Sequence, residues 1–244
     1  MKNQGNNNDD CRIISERIRM NLKQKSINSR INHPFTKKEL WDVFMDTYEK
    51  LFGVKFVYTD EYLKNNWAVI FNYFLHDLNF YRSTNLFQDD VVPMYNKGLF
   101  IAGPVGVGKT RIMKCFEEIF KKYPPHRFKT VSVDDVVQEF EGLTCPNDKK
   151  EFFNKYSTGV ILFDDLHSEK IANNYGKTNV MLRIIMNRER NNCKTHFTMN
   201  PVPGFEELPK ENLLELEDFY DNRVADRIFG MCNYVTIRGK SKRM

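Results

Sequence analysis

"LFIAGPVGVGKTRIM", residues 99–113, is the stretch on which the fold turns. Leu99, Phe100, Ile101 and Ala102 form a short apolar run suited to a buried strand. Gly103, Pro104, Val105, Gly106, Val107, Gly108, Lys109 and Thr110 then match G-x-x-x-x-G-K-[ST] at every fixed position. Ile112, Met113, Phe116, Ile119 and Phe120 follow at helical spacing. A strand, a glycine turn and a helix in that order make an anion cradle. Glycines let backbone N–H groups turn inward where side chains would block them. The helix presents the positive end of its dipole to the same anion. Lys109 is the residue expected to reach the β- and γ-phosphates of a nucleotide, and Thr110 the one expected to offer its hydroxyl to Mg²⁺. Average residue usage produces this pattern by chance in about one chain in a hundred of this length.

The next signal is "GVILFDD", residues 159–165, an apolar run ending in two acids. The run suits the middle of a parallel sheet, and Asp164 should emerge at the sheet's carboxyl edge beside Thr110. There it would hold Mg²⁺, while Asp165 would orient or deprotonate an attacking water. "THFTMN", residues 195–200, ends another strand on Asn200, with Thr198 two residues earlier. An amide at that edge could bridge Asp165 and the γ-phosphate through the water, although Asn before Pro is also a common turn opener.

Around these motifs the chain alternates strand and helix. "GLFIAG", "RFKTVSV", "GVILFDD", "THFTMN" and "NYVTIRG" read as five strands. Helical stretches lie between them: two short ones in "DDVVQEFEG" and "DKKEFFNKY", and a long one over about residues 174–190. This alternation predicts a three-layer α/β domain with a parallel sheet. Before it, "PFTKKELWDVFMDTYEKLFG" opens with a capping box, Thr36 and Glu39, and closes on Gly53. A second helix should carry Leu63, Trp67, Ile70, Phe74 and Leu78 on one face. These aromatic stripes read as packing surface. The expected division is a flexible basic arm at 1–33, a helical region at 34–92 that is a candidate partner-binding part, and the α/β domain at 93–244.

The 244 residues carry a net charge of +5, unevenly placed. Residues 1–30 hold seven Lys or Arg against three acids, and the final "IRGKSKRM" adds four cations, so the remainder is slightly acidic. Basic ends suit nucleic-acid phosphates, or simply solvation. The five cysteines show no C-x-x-C spacing, which argues against a metal site and for a reduced, cytoplasmic protein. "MKNQGNNNDD" has no apolar signal core, and the most apolar long stretch, residues 62–81, is interrupted by polar residues, so neither export nor a membrane span is expected.

"KGLFIAGPVGVGKT", "GVILFDDLHSE", "KTHFTMNP" and "YDNRVADRIFGMCNYVTIRGKSKR" together resemble the AAA+ ATPases of the DnaC/IstB type, over about residues 97–243. That group contains replicative-helicase loaders and the ATPase partners of transposases. The resemblance implies a Walker A loop at Gly103–Thr110 and a Walker B pair at Asp164 and Asp165. It places the sensor residue at Asn200 and an arginine finger, acting on the neighbouring subunit's ATP, at Arg227. Arg223, one helical turn earlier, is the alternative finger. As a plain surface residue Arg227 would instead pair with Asp226 or Asp221. The paired helices at 134–157 would match an insertion that contacts single-stranded DNA, with Lys149, Lys150 and Lys155 as candidates or as a solvated face. The segment Arg223–Ile228 departs from the family's R-x-x-S-R pattern at Asp226, and the final G-x-S-Y-R at Lys242. A further departure is that only five residues follow "NYVTIRG", so the helical lid of larger AAA+ proteins, and with it the usual second sensor arginine, is expected to be absent, Arg243 being the one candidate substitute.

The function so implied is an ATP- and Mg²⁺-dependent, DNA-associated homo-oligomer that serves a replicative helicase. A transposition regulator with a transposase client keeps the same engine. A P-loop small-molecule kinase fits less well, because it needs neither the second acid, nor Asn200, nor the paired arginines. A P-loop fold kept only for binding would not need the full catalytic set.

Overall fold

Every residue of β1 (Gly98–Ala102) is buried, as a strand flanked on both faces must be. The computed structural model describes residues 33–241 apart from 90, 170, 174–176, 207, 222 and 240. The basic arm expected at 1–33, apart from residue 33, and the tail cations Lys240, Lys242 and Arg243 lie outside the described residues. Residues from Lys37 onward form one compact unit, to which residues 33–36 do not belong.

β1 is followed by α3 (Lys109–Phe120), β2 (Lys129–Ser132), α4 (Val133–Glu141), α5 (Pro146–Tyr156) and β3 (Ile161–Leu166). A two-stranded antiparallel pair, β4 (Ala172–Asn173) and β5 (Lys177–Thr178), precedes α6 (Val180–Arg190). Then come β6 (Thr195–Met199), α7 (Pro209–Phe219), α8 (Val224–Met231) and β7 (Cys232–Thr236). The main sheet runs β2-β3-β6-β1-β7, and every pairing in it is parallel. The five strands and both short helices before β3 agree with the sequence expectation. The long helix does not begin at 174. It begins at Val180, because the Asn179 side chain accepts from the Leu182 amide at 3.1 Å and caps it there.

Aromatic residues line up across one sheet face. Phe163–Phe197, Phe197–Phe100 and Phe100–Tyr234 have ring centroids 5.8, 5.9 and 5.1 Å apart. They pack with buried residues of α4–α8, including Val136, Phe152, Ile184, Leu213 and Ile228. The other face is covered by α3 and by the helices that precede β1, which completes the three layers. Here α1 (Lys37–Phe52) buries Leu40, Phe44 and Tyr48, one per turn, and ends at Gly53, whose φ of 68° suits a residue without Cβ.

The second expected helix is broken into pieces. A turn at Asp60–Tyr62 runs into a π-helical stretch, Leu63–Trp67, and then α2 (Ala68–Phe74). The π stretch buries Asn66, whose side chain accepts from the Arg238 amide at 2.6 Å. Leu78 does not share the buried face and is 42% exposed. His76 takes φ 52°, ending the helix, and Asp77 caps a separate 3₁₀ turn by accepting from the Asn79 amide at 2.8 Å. Residues 85–87 then close the edge of β7: the Phe87 amide donates to Tyr234 at 3.0 Å and the Thr236 amide to Asn85 at 2.9 Å.

Phe116 of α3 is the point where these layers meet. Its ring lies 5.5, 5.0 and 4.5 Å from those of Phe44, Phe71 and Phe74. Phe116→Ala should therefore cost about 3–5 kcal/mol of stability, read as a lower urea midpoint in equilibrium unfolding.

Candidate functional site

The sheet order decides which residues meet. β6 lies between β1 and β3, so the carboxyl ends of these three strands are consecutive at one edge, and the crevice beyond such ends is where open α/β sheets bind ligands. The loop after β1 bends through Gly106 and Gly108 at φ 82° and 106°, conformations that favour glycine. Gly103 is glycine for a different reason: a Cβ there would stand 2.7 Å from the Ile237 carbonyl oxygen.

Lys109 is 5% exposed, and its ammonium donates to the carbonyls of Gly103 at 2.5 Å and Pro104 at 3.2 Å, and to Asn200 Oδ1 at 2.9 Å. On the same edge, Asp164 Oδ1 accepts two hydroxyls, Thr110 Oγ1 at 3.0 Å and Thr198 Oγ1 at 2.6 Å. Thr198 Oγ1 also accepts from the Asp165 amide at 2.9 Å. Asn200 donates to Asp165 Oδ1 at 3.5 Å, so its one amide group touches both the lysine and the second acid.

Asp165 sits on a bulge. Phe163 pairs with Phe197 and Leu166 with Met199, so β3 carries one residue more than β6 over this span. The extra residue is accommodated by φ 59° at Asp165, in the left-handed region that a side chain seldom adopts. Strain of this kind is stored where the surrounding structure over-determines it. Its effect is to turn Asp165 toward the cavity while Asp164 stays buried against the two threonines.

The cavity at this edge measures about 990 Å³ and is lined by Val105–Ile112, Asp165, Asn200, Ser241, and Tyr48 with Val54–Val57. The last group comes from the region before β1 and belongs to no motif of the chain. Tyr62 reaches the same loop, its hydroxyl 3.5 Å from the Val107 carbonyl. Thr198 was readable only as the residue two before Asn200, on the same side of a strand.

The structure thus brings together the loop Gly103–Thr110, Asp164, Asp165 and Asn200. It does not bring Arg227 or Arg223 to them: neither lines the cavity. Arg227 pairs with Glu189 of α6, not with Asp226 or Asp221, because α8 packs beside α6. Arg223 pairs with Asp221 at 3.3 Å. Lys155 pairs with Glu139 at 2.7 Å. Among the described residues no group of His, Cys, Asp or Glu has the arrangement of a metal-holding cluster, and no helix is long and apolar enough to cross a membrane.

The DnaC helicase loader crystal structure has this fold, with a TM-score of 0.50 and 21% identity, covering 73% of this chain and 99% of that one. The structure of DnaI compares at 0.45 and 22%, over 74% of this chain and 94% of that chain. AMPPCP-bound DnaA from Aquifex aeolicus compares at 0.42 and 22%, over 58% and 41%. No protein-family model and no curated protein matches the chain. The five-stranded parallel sheet with helices before it has the fold of that loader structure, and its α/β core agrees with what the sequence resemblance implied for about residues 97–243.

Thr198 is fully buried and serves both acids. Thr198→Val keeps its shape but takes one acceptor from the Asp165 amide, so it should destabilise by about 1–3 kcal/mol in urea unfolding at unchanged m.

Proposed function

We propose that this chain is a DnaC-type AAA+ ATPase that binds and hydrolyses ATP with Mg²⁺ and works with single-stranded DNA and a replicative helicase. The observation that carries the reading is the convergence of Lys109, Thr110, Asp164, Asp165 and Asn200 at three adjacent strand ends. A binding-only fold has no use for the second acid on its bulge.

The donor set fits the groups it is proposed to hold. A buried ammonium beside a glycine turn and a helix N-terminus suits a triphosphate. Thr110 Oγ1 and Asp164 Oδ1 are oxygen ligands of the kind Mg²⁺ prefers, together with water and phosphate oxygens. Mg²⁺ bound there would neutralise charge developing on the phosphate oxygens. Lys109 would exchange its bonds to the loop carbonyls for phosphate oxygens while keeping Asn200. Asp165 would accept the proton of the attacking water, held in line by Asn200. The base would lie against Tyr48 and Val54–Val57, which makes the region before β1 part of the binding cavity as well as a candidate partner-binding part.

Arg227 is proposed to complete the site of a neighbouring subunit, where a guanidinium stabilises charge on the γ-phosphoryl group. For that it must leave Glu189, so the ion pair would mark the unassembled state. Lys149, Lys150 and Lys155 remain the DNA-contact candidates of the paired helices, Lys149 standing 5.5 Å from the Phe140 ring centroid and Lys155 pairing with Glu139.

Lys109→Ala should abolish ATP binding measured by titration calorimetry. Asp165→Asn should bind ATP but turn it over about 10²–10⁴-fold more slowly. Arg227→Ala should bind ATP and lose at least about 10³-fold of oligomer-stimulated turnover. Mixing the Arg227→Ala and Asp165→Asn proteins should restore part of it. No rescue would point to Arg223 as the finger, or to a monomer. Capture of a transposase, with no binding to a replicative helicase, would overturn the helicase client. Rapid phosphorylation of a nucleoside monophosphate would overturn the ATPase reading itself.

A further inference from the structure

The turn that carries Asp165 is held from a second direction, by groups that the phosphate chemistry does not require. After Asp165 the backbone returns to positive φ at His167, 71°. Ser168 closes the turn on the Asp165 carbonyl, with its amide at 3.2 Å and its hydroxyl at 2.6 Å. The His167 amide donates to the Tyr220 hydroxyl at 3.2 Å, and that hydroxyl donates to Glu169 Oε1. The His167 ring meets the Phe219 ring edge-on, with centroids 4.9 Å apart.

Tyr220 and Glu169 are 8% and 6% exposed, so this contact is made out of water. Burial raises the pKa of both groups, which favours their uncharged forms. The second oxygen of Glu169 has no hydrogen-bond partner among the described residues. A buried polar group kept at that cost calls for a reason.

Its position supplies one. Tyr220 is the residue that ends α7, its amide donating to Leu216 at 2.8 Å. Asp221 follows directly: its side chain accepts from the Arg223 amide at 3.0 Å and its carbonyl from the Val224 amide at 3.0 Å, which opens α8. α8 carries Arg227, paired with Glu189 of α6. The carbonyl of Phe219 accepts from Asn179, the cap of α6, at 3.1 Å. One hydroxyl therefore joins the turn after Asp165 to the segment from which both arginines extend.

We propose that Tyr220 and Glu169 form a positioning pair that fixes the turn bearing Asp165 and ties it to the start of α8, so that the water-activating carboxylate and the arginines move as one unit. This rests on the ATPase reading. Neither residue touches the reacting atoms. Tyr220 acts through the His167 amide, and Glu169 holds the tyrosine hydroxyl in place. A change in nucleotide contact at Asp165 would reach Arg223 and Arg227 by this route, and subunit contact at the arginines would reach Asp165 in return.

The test uses the full chain and separates positioning from packing. Tyr220→Phe keeps the ring and removes the hydroxyl. It should lower kcat about tenfold with KM for ATP within about twofold, as expected when a group is misplaced without loss of ground-state binding. Glu169→Ala should behave likewise, and Glu169→Gln, which keeps an acceptor oxygen, should recover most of the turnover lost in Glu169→Ala. The double variant Tyr220→Phe/Glu169→Leu removes the orphaned carboxyl. It should regain the melting temperature of the wild type while turnover stays low, and it carries the test if Tyr220→Phe alone fails to fold. Wild-type kcat in Tyr220→Phe, or turnover that returns together with melting temperature in the double variant, would overturn the pair and leave the ATPase reading intact. A wild-type protein that turns over no ATP would overturn that reading, and the pair with it.

Discussion

One carboxylate oxygen holds the site together. Asp164 Oδ1 accepts a hydroxyl from Thr110 at the start of α3 and another from Thr198 on β6, while its own backbone belongs to β3. Three elements that are distant in sequence are thereby held at one acceptor. Hydrogen bonds to an ionised acceptor are about twice as strong as neutral ones, and here they are sheltered from solvent, since Asp164 is only 8% exposed. Because Thr198 also takes the Asp165 amide, the position of the first acid sets the direction of the second. The bulge, the positive φ at Asp165 and the reach of Asn200 are consequences of the same constraint.

The helices before the sheet serve the same cavity from the other side. Their aromatic residues pack on Phe116 and Phe120 of α3, the helix whose first residues are Lys109 and Thr110. Packing at one end of that helix thus fixes the end that carries Lys109 and Thr110. The turn before the π-helical stretch brings Tyr62 to the glycine loop, and the stretch itself brings Asn66 to the chain after β7, so both flanks of the loop are held by the region that precedes it. The conformation of that region is thereby mechanically joined to the cavity.

Most of the fold could be read from periodicity. Apolar runs gave the strands, spacing gave the helices, and Gly103–Thr110 gave the cradle. The errors share a cause. Leu78 fits the helical repeat, yet His76 and Asp77 end the helix before it, because a backbone turn at one residue outranks a pattern of side chains. Residues 172–173 pair with 177–178 and delay α6 to the Asn179 cap, a contact that no local pattern announces. Arg227 had two acids within reach along the chain and pairs with neither, because a neighbouring helix supplies Glu189. Tyr220 and Glu169 stand at the ends of two stretches that carry the resemblance, without a role read for either there, and meet only across the fold.

The sequence by itself determined the chemistry available: a glycine turn with a lysine and a threonine, two acids after one apolar run, an asparagine after another. Those are local properties, since side-chain type and neighbouring residues set what a turn can bind and where a strand can end. Only the tertiary structure decided that these groups meet. The placement of β6 between β1 and β3, the extra residue in β3 and the closing of the cavity by Tyr48 and Val54–Val57 all depend on packing between segments far apart in the chain. Strand order is chosen by the sum of buried contacts across both sheet faces, and no stretch of sequence contains that sum.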